Sequence, residues 1–400
     1  SDGMENDCMW KNVESAPADA ILGLTEAFKK DPRFAKVNLG VGVYKDEEGH
    51  TPILASVKAA EKRLIDEENT KSYLPITGNE AYGREVQKLI FGAPCDRAVT
   101  AHTPGGTGAL RVAAEMLRTF SSKTFWVSKP TWANHTNIFK AAGLTVKEYP
   151  YYNPASKNLD SEGFLSALEQ IPANDCVLLH ACCHNPSGVD LSADQWKQVA
   201  QIAAKNGWSA LVDFAYQGFG ESLEADRIGV EAFLESGIDF FIASSFSKNF
   251  GLYRERTGAL TAVAASPADA ETAASHLKAT ARVIYSNPPA HGGMIVTTVL
   301  QDSKLSSRWK NELNGMRDRI AQARAALAEG LTAHGVPMDC SFITRQKGMF
   351  SFSGLTKEQV AFLREEKAIY IVDSGRINVA GLTPGNLGYV CDAVAEAMNR

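Results

Sequence analysis

Ser244-Ser245-Phe246-Ser247-Lys248-Asn249-Phe250-Gly251-Leu252-Tyr253-Arg254-Glu255-Arg256-Thr257-Gly258 follows an apolar, strand-like run from Phe240 to Ala243 and closes it with hydroxyls, a lysine and a glycine. A lysine buried at such a strand end loses hydration, and desolvation favours its neutral, nucleophilic amine. A neutral amine can form a Schiff base with a carbonyl. The hydroxyls, with Arg256 eight residues beyond the lysine, suit an anion such as a phosphate. The stretch alone reads more readily as a solvated loop. The rest of the chain has to decide between the two.

Working outward, strands alternate with helices from about residue 100 to 265, the signature of an α/β domain on a mostly parallel sheet. Ala210 to Tyr216 reads as a strand carrying Asp213 into its C-terminal end. A carboxylate there is costly unless paired, and in a parallel sheet that end is where ligands sit. Before it, Ser192 and Gln195 form a capping box and Gly207 a helix stop. Val177 to His180 is a buried-type strand entering Cys182-Cys183-His184-Asn185-Pro186-Ser187-Gly188, a turn in which the Asn185 amide could meet a ligand. His180, Cys182 and His184 alternate, but no second Cys/His cluster has metal spacing, so no metal site is expected. Ile228 to Ser236 reads as a helix. Gly258 to Ala264 is a strand whose short connection suggests that it runs antiparallel to its neighbour.

Thr103-Pro104-Gly105-Gly106-Thr107-Gly108 opens a helical pattern from Ala109 to Phe120. Free backbone N–H groups and a positive dipole end would make it an anion cradle; a ligand-free turn has the same composition. Phe125 to Val127 is a strand, followed by a loop from Pro130 to His135 in which Trp132 could stack on a flat ligand or simply pack. Elsewhere, helices are expected over about 18–29, 52–68, 267–280, 307–334 and 357–366, and from Asn386 onward. Strands are expected over 145–149 and 369–372. Val37 to Tyr44 holds Gly40 and Gly42 in an apolar segment, where a bulge or a close approach is at issue. Tyr73 in a proline-punctuated loop is a core residue or a ligand contact. Arg282 opens an extended segment to Pro289 as a solvated charge or an anion anchor, and Arg376 lies between two strand-like runs.

A net charge of −5 argues against nucleic acid as a partner. No apolar run reaches the roughly 18 residues of a membrane span, and no signal peptide is evident. Seven cysteines, odd in number and irregular in spacing, suit a reducing compartment. Cytoplasm is the expectation, with a mature mitochondrial form also compatible. Ser1-Asp2-Gly3 before Met4 reads as a cloning remnant.

Taken together, the chain resembles the class I aspartate aminotransferases, particularly the bacterial-type aspartate/aromatic branch, from about Met9 to its last helix. The motifs are Asn38-Leu39-Gly40-Val41-Gly42-Val43-Tyr44, Gly105-Gly106-Thr107-Gly108-Ala109-Leu110-Arg111, Cys182 to Gly188, Asp213-Phe214-Ala215-Tyr216-Gln217-Gly218-Phe219, Ser245 to Tyr253, Ser286-Asn287-Pro288-Pro289-Ala290-His291-Gly292 and Gly375-Arg376-Ile377-Asn378-Val379-Ala380-Gly381. The resemblance implies a fold-type I transferase dependent on pyridoxal 5'-phosphate. Its large domain (48–310) would hold a mostly parallel seven-stranded sheet between helices, and its small α+β domain (1–47 and 311–400) would close over the site. It implies a homodimer with shared active sites, small amino-acid and 2-oxo-acid substrates, and no nucleic-acid or membrane partner.

By the same resemblance Lys248 would hold the cofactor covalently and shuttle a proton, and Asp213 would pair with its ring nitrogen, backed by His135 with His180 behind. Asn185 and Tyr216 would bond the ring oxygen and Trp132 would stack on the ring. Gly106, Thr107, Ser245, Ser247, Arg256 and the partner's Tyr73 would bind phosphate. Arg376 would grip the α-carboxylate and the partner's Arg282 the side-chain carboxylate, with Gly42 and the Ile21–Leu24 segment closing over substrate. Val43, Lys45, Thr51, Thr107 and Asn287 look like the aspartate-preferring pattern, with an aromatic preference as the alternative. A binding protein on a degenerate enzyme fold is disfavoured by the intact Lys248, Asp213, Arg256 and Arg376. Arg254 departs from the family pattern, where a neutral residue is common.

Overall fold

A computed structural model describes residues 8–400; the expected remnant at residues 1–3 lies outside the described residues. At the centre is a sheet of seven strands: β1 (Ala98–Pro104), β2 (Thr124–Lys129), β3 (Thr145–Pro150), β4 (Cys176–His180), β5 (Ser209–Phe214), β6 (Phe240–Ser245) and β7 (Thr257–Val263). Their order is β1-β7-β6-β5-β4-β2-β3. The run from β6 to β3 is parallel, whereas β7 runs against both neighbours.

That one reversal positions the site. Thr257 lies opposite Pro104 and Gly258 opposite Ser245, so the start of β7 meets the ends of β1 and β6. On the parallel side His180 lies beside Asp213, and Phe214 beside Ser244. The chemically loaded ends of five strands therefore share one sheet edge, the edge at which open α/β sheets take ligands.

Alternation along the strands buries both faces. Val177, Leu179, Val212 and Ile242 face a core built with Trp196, Phe233 and Trp309. Leu178, Leu211 and Ala243 face the opposite core of Leu110, Leu117, Phe125 and Leu260. Strands covered on both faces read as continuous apolar runs, as these do. The helix Ala193–Asn206 begins at the Ser192/Gln195 capping box and stops at left-handed Gly207.

Several expectations need correction. The loop reading of 130–135 ends at Trp132: Ala133–Ala141 is a helix, so His135 stands in its first turn. The helix expected over 267–280 runs from Pro267 to Ile284 and includes Arg282, because no breaker precedes Ser286, whose φ is 73°, and Pro288. The glycine-led helix begins at Gly105 rather than Ala109. Helices at Glu80–Phe91 and Ala290–Gln301 went unread. In Val37 to Tyr44 only Val37–Asn38 pairs, parallel to Ile369–Tyr370. Phe350–Phe352 pairs antiparallel with Arg376–Asn378. The long helix spans Ser303–Ala333, capped by Asp302. Among the described residues no helix is long and apolar enough to cross a membrane.

Strand β5 ends at Phe214, and the turn beyond Tyr216 is tied by one buried carboxylate. Asp226 accepts N–H bonds from Gly218 at 2.8 Å, Gly220 at 3.0 Å and Glu221 at 2.9 Å. Asp226→Ala leaves one buried and two half-buried donors without their carboxylate, which costs about 2 kcal/mol. A urea unfolding midpoint falls accordingly; an unchanged midpoint contradicts this role.

Candidate active site

A cavity of about 280 Å³ opens at the loaded edge of the sheet. Lys248, Asp213, Tyr216, Asn185, Trp132 and Arg376 line it. So do Gly42, Gly106, Thr107, His135, His180, Ser245, Ser247 and Arg256. Two sequence candidates lie elsewhere. Tyr73 is 90% exposed, and Arg282 sits on the outer face of its helix beside Ser286 Oγ. The wall also contains Phe350, from the 348–352 run expected to line the region of Arg376, and Leu110 and Ala215, which sequence reasoning did not place there.

The anion cradle is assembled from β1, β6 and β7. Pro104 supplies no side-chain cap to the helix Gly105–Phe120, so first-turn N–H groups remain available. Arg256 adopts a left-handed backbone, φ 51°, and its carbonyl accepts the Gly105 N–H at 2.9 Å. Its side chain turns back over the same glycine: a Cβ on Gly105 would collide with the guanidinium. Only glycine meets both demands, since Gly105 also has φ 73°. Arg256 Nη1 donates to Ser247 Oγ at 3.4 Å and to the Tyr253 carbonyl at 3.1 Å. These partners are neutral, so the guanidinium charge is directed at whatever fills the cradle.

Behind Asp213 runs a chain of hydrogen bonds whose polarity is fixed at its far end. The Asn185 N–H is a backbone donor, so His180 Nδ1 accepts from it, at 3.5 Å. Burial holds His180 neutral, with a pKa lowered to about 3. Its Nε2 therefore carries the proton and donates to Thr131 Oγ1 at 3.1 Å. Thr131 then gives its own proton to His135 Nδ1 at 2.8 Å. That leaves His135 Nε2–H to donate to Asp213 Oδ2 at 2.6 Å. Burial works to raise the Asp213 carboxyl, but the His135 bond and nearby positive charge prevail, and its pKa is lowered. Asp213 is thus an anion with its other oxygen left for the cavity. Thr131 is a member of this relay that the sequence did not single out, because nothing local marks it.

Lys248 Nζ lies 5.2 Å from the Tyr216 ring centroid. Burial lowers its pKa to about 8; Arg256 and Arg376 push the same way, and Asp213 opposes them. The Tyr216 hydroxyl is shielded, and burial raises its pKa far above the ordinary phenol value, so it is a donor.

Arg376 is 4% exposed. It donates to Asn185 Oδ1 at 3.2 Å and to the Gly40 carbonyl at 3.1 Å, and its guanidinium lies 4.0 Å from the Phe350 ring centroid. Among the described residues its Nε is buried without a partner. A buried guanidinium among neutral oxygens, with a donor to spare, is a receptor for a carboxylate.

The family model for aminotransferase class I and II matches residues 35–394. This chain belongs to that family. It is 50% identical over 396 residues to an aspartate aminotransferase of Escherichia coli, covering 98% of this chain and 100% of that protein. It is 46% identical to an aromatic-amino-acid aminotransferase of Pseudomonas aeruginosa, covering 96% of this chain and 98% of that one. Among solved structures it is similar to an aromatic-amino-acid aminotransferase from Burkholderia pseudomallei covalently bound to pyridoxal phosphate, with a TM-score of 0.95, 47% identity, and coverage of 98% and 100%.

The residues of this class I and II aminotransferase fit pyridoxal phosphate. The cradle and Arg256 suit its phosphate, the Asp213 anion suits a protonated ring nitrogen, and a lysine amine with a depressed pKa suits its aldehyde. Without cofactor, acylation of Lys248 followed by mass spectrometry across pH 6–10 should inflect near 8. In Asp213→Asn the inflection moves lower still, because the anion that favours the ammonium is gone. An inflection near the ordinary 10.5 contradicts this electrostatic balance.

Proposed function

We propose that this chain catalyses reversible amino transfer between L-aspartate and 2-oxoglutarate, giving oxaloacetate and L-glutamate in ping-pong fashion. The observation that carries the reading is Arg376: a buried cation with an unpartnered donor, opening on the same cavity as Lys248 and Asp213. Relatives named aspartate aminotransferase at 50% identity over full length support the choice of substrate.

Pyridoxal phosphate, when bound, supplies an aldehyde carbon for amines and a ring that takes up electron density from the substrate Cα. The protein's own groups do the rest. Gly106, Thr107, Ser245, Ser247 and Arg256 would hold the phosphate. Asp213, kept ionised and oriented by His135 and His180, would hold a proton on the ring nitrogen. Tyr216 and Asn185 would donate to the ring oxygen, and Trp132 would cover the ring face. Arg376 takes the α-carboxylate as a two-pronged fork, which lysine could not imitate. Lys248 Nζ, on the same cavity, would be the base that removes the Cα proton; a pKa near 8 leaves it partly neutral close to physiological pH.

The side-chain carboxylate needs a second cation, and we assign it to Arg282 of a second copy, with that copy's Tyr73 completing the phosphate site. The outward placement of both residues supports this. So does the apolar surface beside Arg282, where Val283 is 84% exposed. In this reading 48–310 form the large domain, and 1–47 with 311–400 form a small domain that closes over substrate, drawing Gly42 and the Ile21–Leu24 segment inward. The irregular thiols suit work in the cytoplasm. A second reading, activity on aromatic amino acids, is favoured by the apolar wall of Leu110, Trp132 and Phe350. Relative kcat/KM for aspartate and phenylalanine separates the two, and a clear aromatic preference overturns the first.

Lys248→Ala should lower turnover by about 10⁴-fold or more while cofactor binding stays measurable by absorbance; near-normal turnover refutes the assignment of the base. Arg282→Asp should shift preference from acidic toward basic amino acids, read as the ratio of kcat/KM for aspartate and arginine. An unchanged ratio means that another residue reads the distal carboxylate.

A further inference from the structure

Arg319 stands on the long helix, outside the cavity, yet among the described residues its guanidinium pairs with no carboxylate. Nε donates to the Lys45 carbonyl at 2.9 Å. Nη2 donates to the carbonyls of Asp46 at 3.1 Å, Ala380 at 2.8 Å and Leu382 at 3.1 Å. One charged side chain thus joins two stretches more than three hundred residues apart in sequence. One ends the segment that carries Gly42 into the cavity; the other is the turn that follows Arg376 and Asn378.

Those stretches are also joined at the cavity itself. Arg376 donates to the Gly40 carbonyl at 3.1 Å. Asn378 Nδ2 donates to the carbonyls of Val41 at 2.7 Å and Val43 at 2.8 Å, and its backbone N–H to Leu39 at 2.7 Å. The Gly42 segment is therefore fastened at its start by the strand bearing Arg376 and at its end by Arg319. Between these, the Tyr44 N–H donates to the Tyr253 hydroxyl at 2.9 Å, reaching the loop whose carbonyl also holds Arg256. Two positions before Arg319, Arg317 donates to the Gly218 carbonyl at 2.8 Å, in the turn that follows Tyr216. A single stretch of the long helix thus touches both the wall bearing Tyr216 and the segment bearing Gly42.

We propose that Arg319 is a positioning residue for substrate: it latches the Gly40–Asp46 segment to the Arg376 strand, so that the carboxylate fork and the segment covering it keep one geometry. Neutral carbonyls on a cation make charge-assisted bonds, stronger than the amide bonds a neutral side chain could offer. Their acceptors are backbone atoms, so the latch fixes the path of the chain rather than any one side chain. The cofactor cradle, built on β1, β6 and β7, meets this ring through the Tyr44–Tyr253 bond and not through Arg319 itself.

The inference rests on the transaminase reading for its kinetic arm only. Two measurements on the holoenzyme test it. In Arg319→Gln, KM for aspartate should rise roughly tenfold while kcat changes less than about threefold, the pattern of lost substrate binding rather than lost chemistry. Hydrogen exchange, which needs no turnover, should quicken at the amides of residues 40–46 beyond any change elsewhere in the chain, leaving cofactor absorbance near wild type. Arg319→Lys should recover part of both effects. Wild-type exchange at 40–46 in Arg319→Gln overturns the proposal whatever the substrate proves to be. A loss of melting temperature and cofactor together, with faster exchange throughout the chain, also overturns it by showing a general structural role.

Discussion

Lys248 stands between opposing fields, and much of the site exists to keep them balanced. Burial, Arg256 and Arg376 drive its amine toward neutrality, while the Asp213 carboxylate draws it back toward the ammonium. The carboxylate can do this only as an anion in a shielded place, which alone would be unfavourable. The His135 bond makes it tolerable, and the direction of that bond is inherited through Thr131 and His180 from a backbone N–H at Asn185. The protonation state of the centre is thus tied to the path of the chain in the turn after β4.

The sheet supplies the other constraint. With β7 reversed, the start of one strand comes beside the ends of two others. Arg256, Gly105 and Ser245 are brought together by register, and left-handed Arg256 closes the corner. Cation, free amides and hydroxyls then converge without any single element having to carry an anion site by itself.

How much of this could be read from the sequence depended on how local the cause was. The runs ending in Asp213 and Lys248 showed themselves because an apolar strand that stops in a charge is conspicuous. The Ser192 cap and Gly207 stop are rules written into adjacent residues. Arg282 looks extended in the sequence because Pro288 and Pro289 place the break too early, although Ala281 to Ile284 contain nothing that ends a helix. His135 was read in a loop because Trp132 offers its helix no capping side chain. Thr131 and Arg319 were invisible for a different reason. Their partners lie far away in sequence, and an arginine on a long amphipathic helix looks like any solvated one.

In the proposed site Lys248, alone among the lysines, would carry the aldehyde of pyridoxal phosphate. Borohydride converts such a linkage into a stable secondary amine, and peptide mass spectrometry then locates it. Reduction of the cofactor-loaded protein should add one phosphopyridoxyl group per chain, on the peptide containing Lys248. The group found on another lysine, or no covalent adduct in protein that binds the cofactor, would contradict the account.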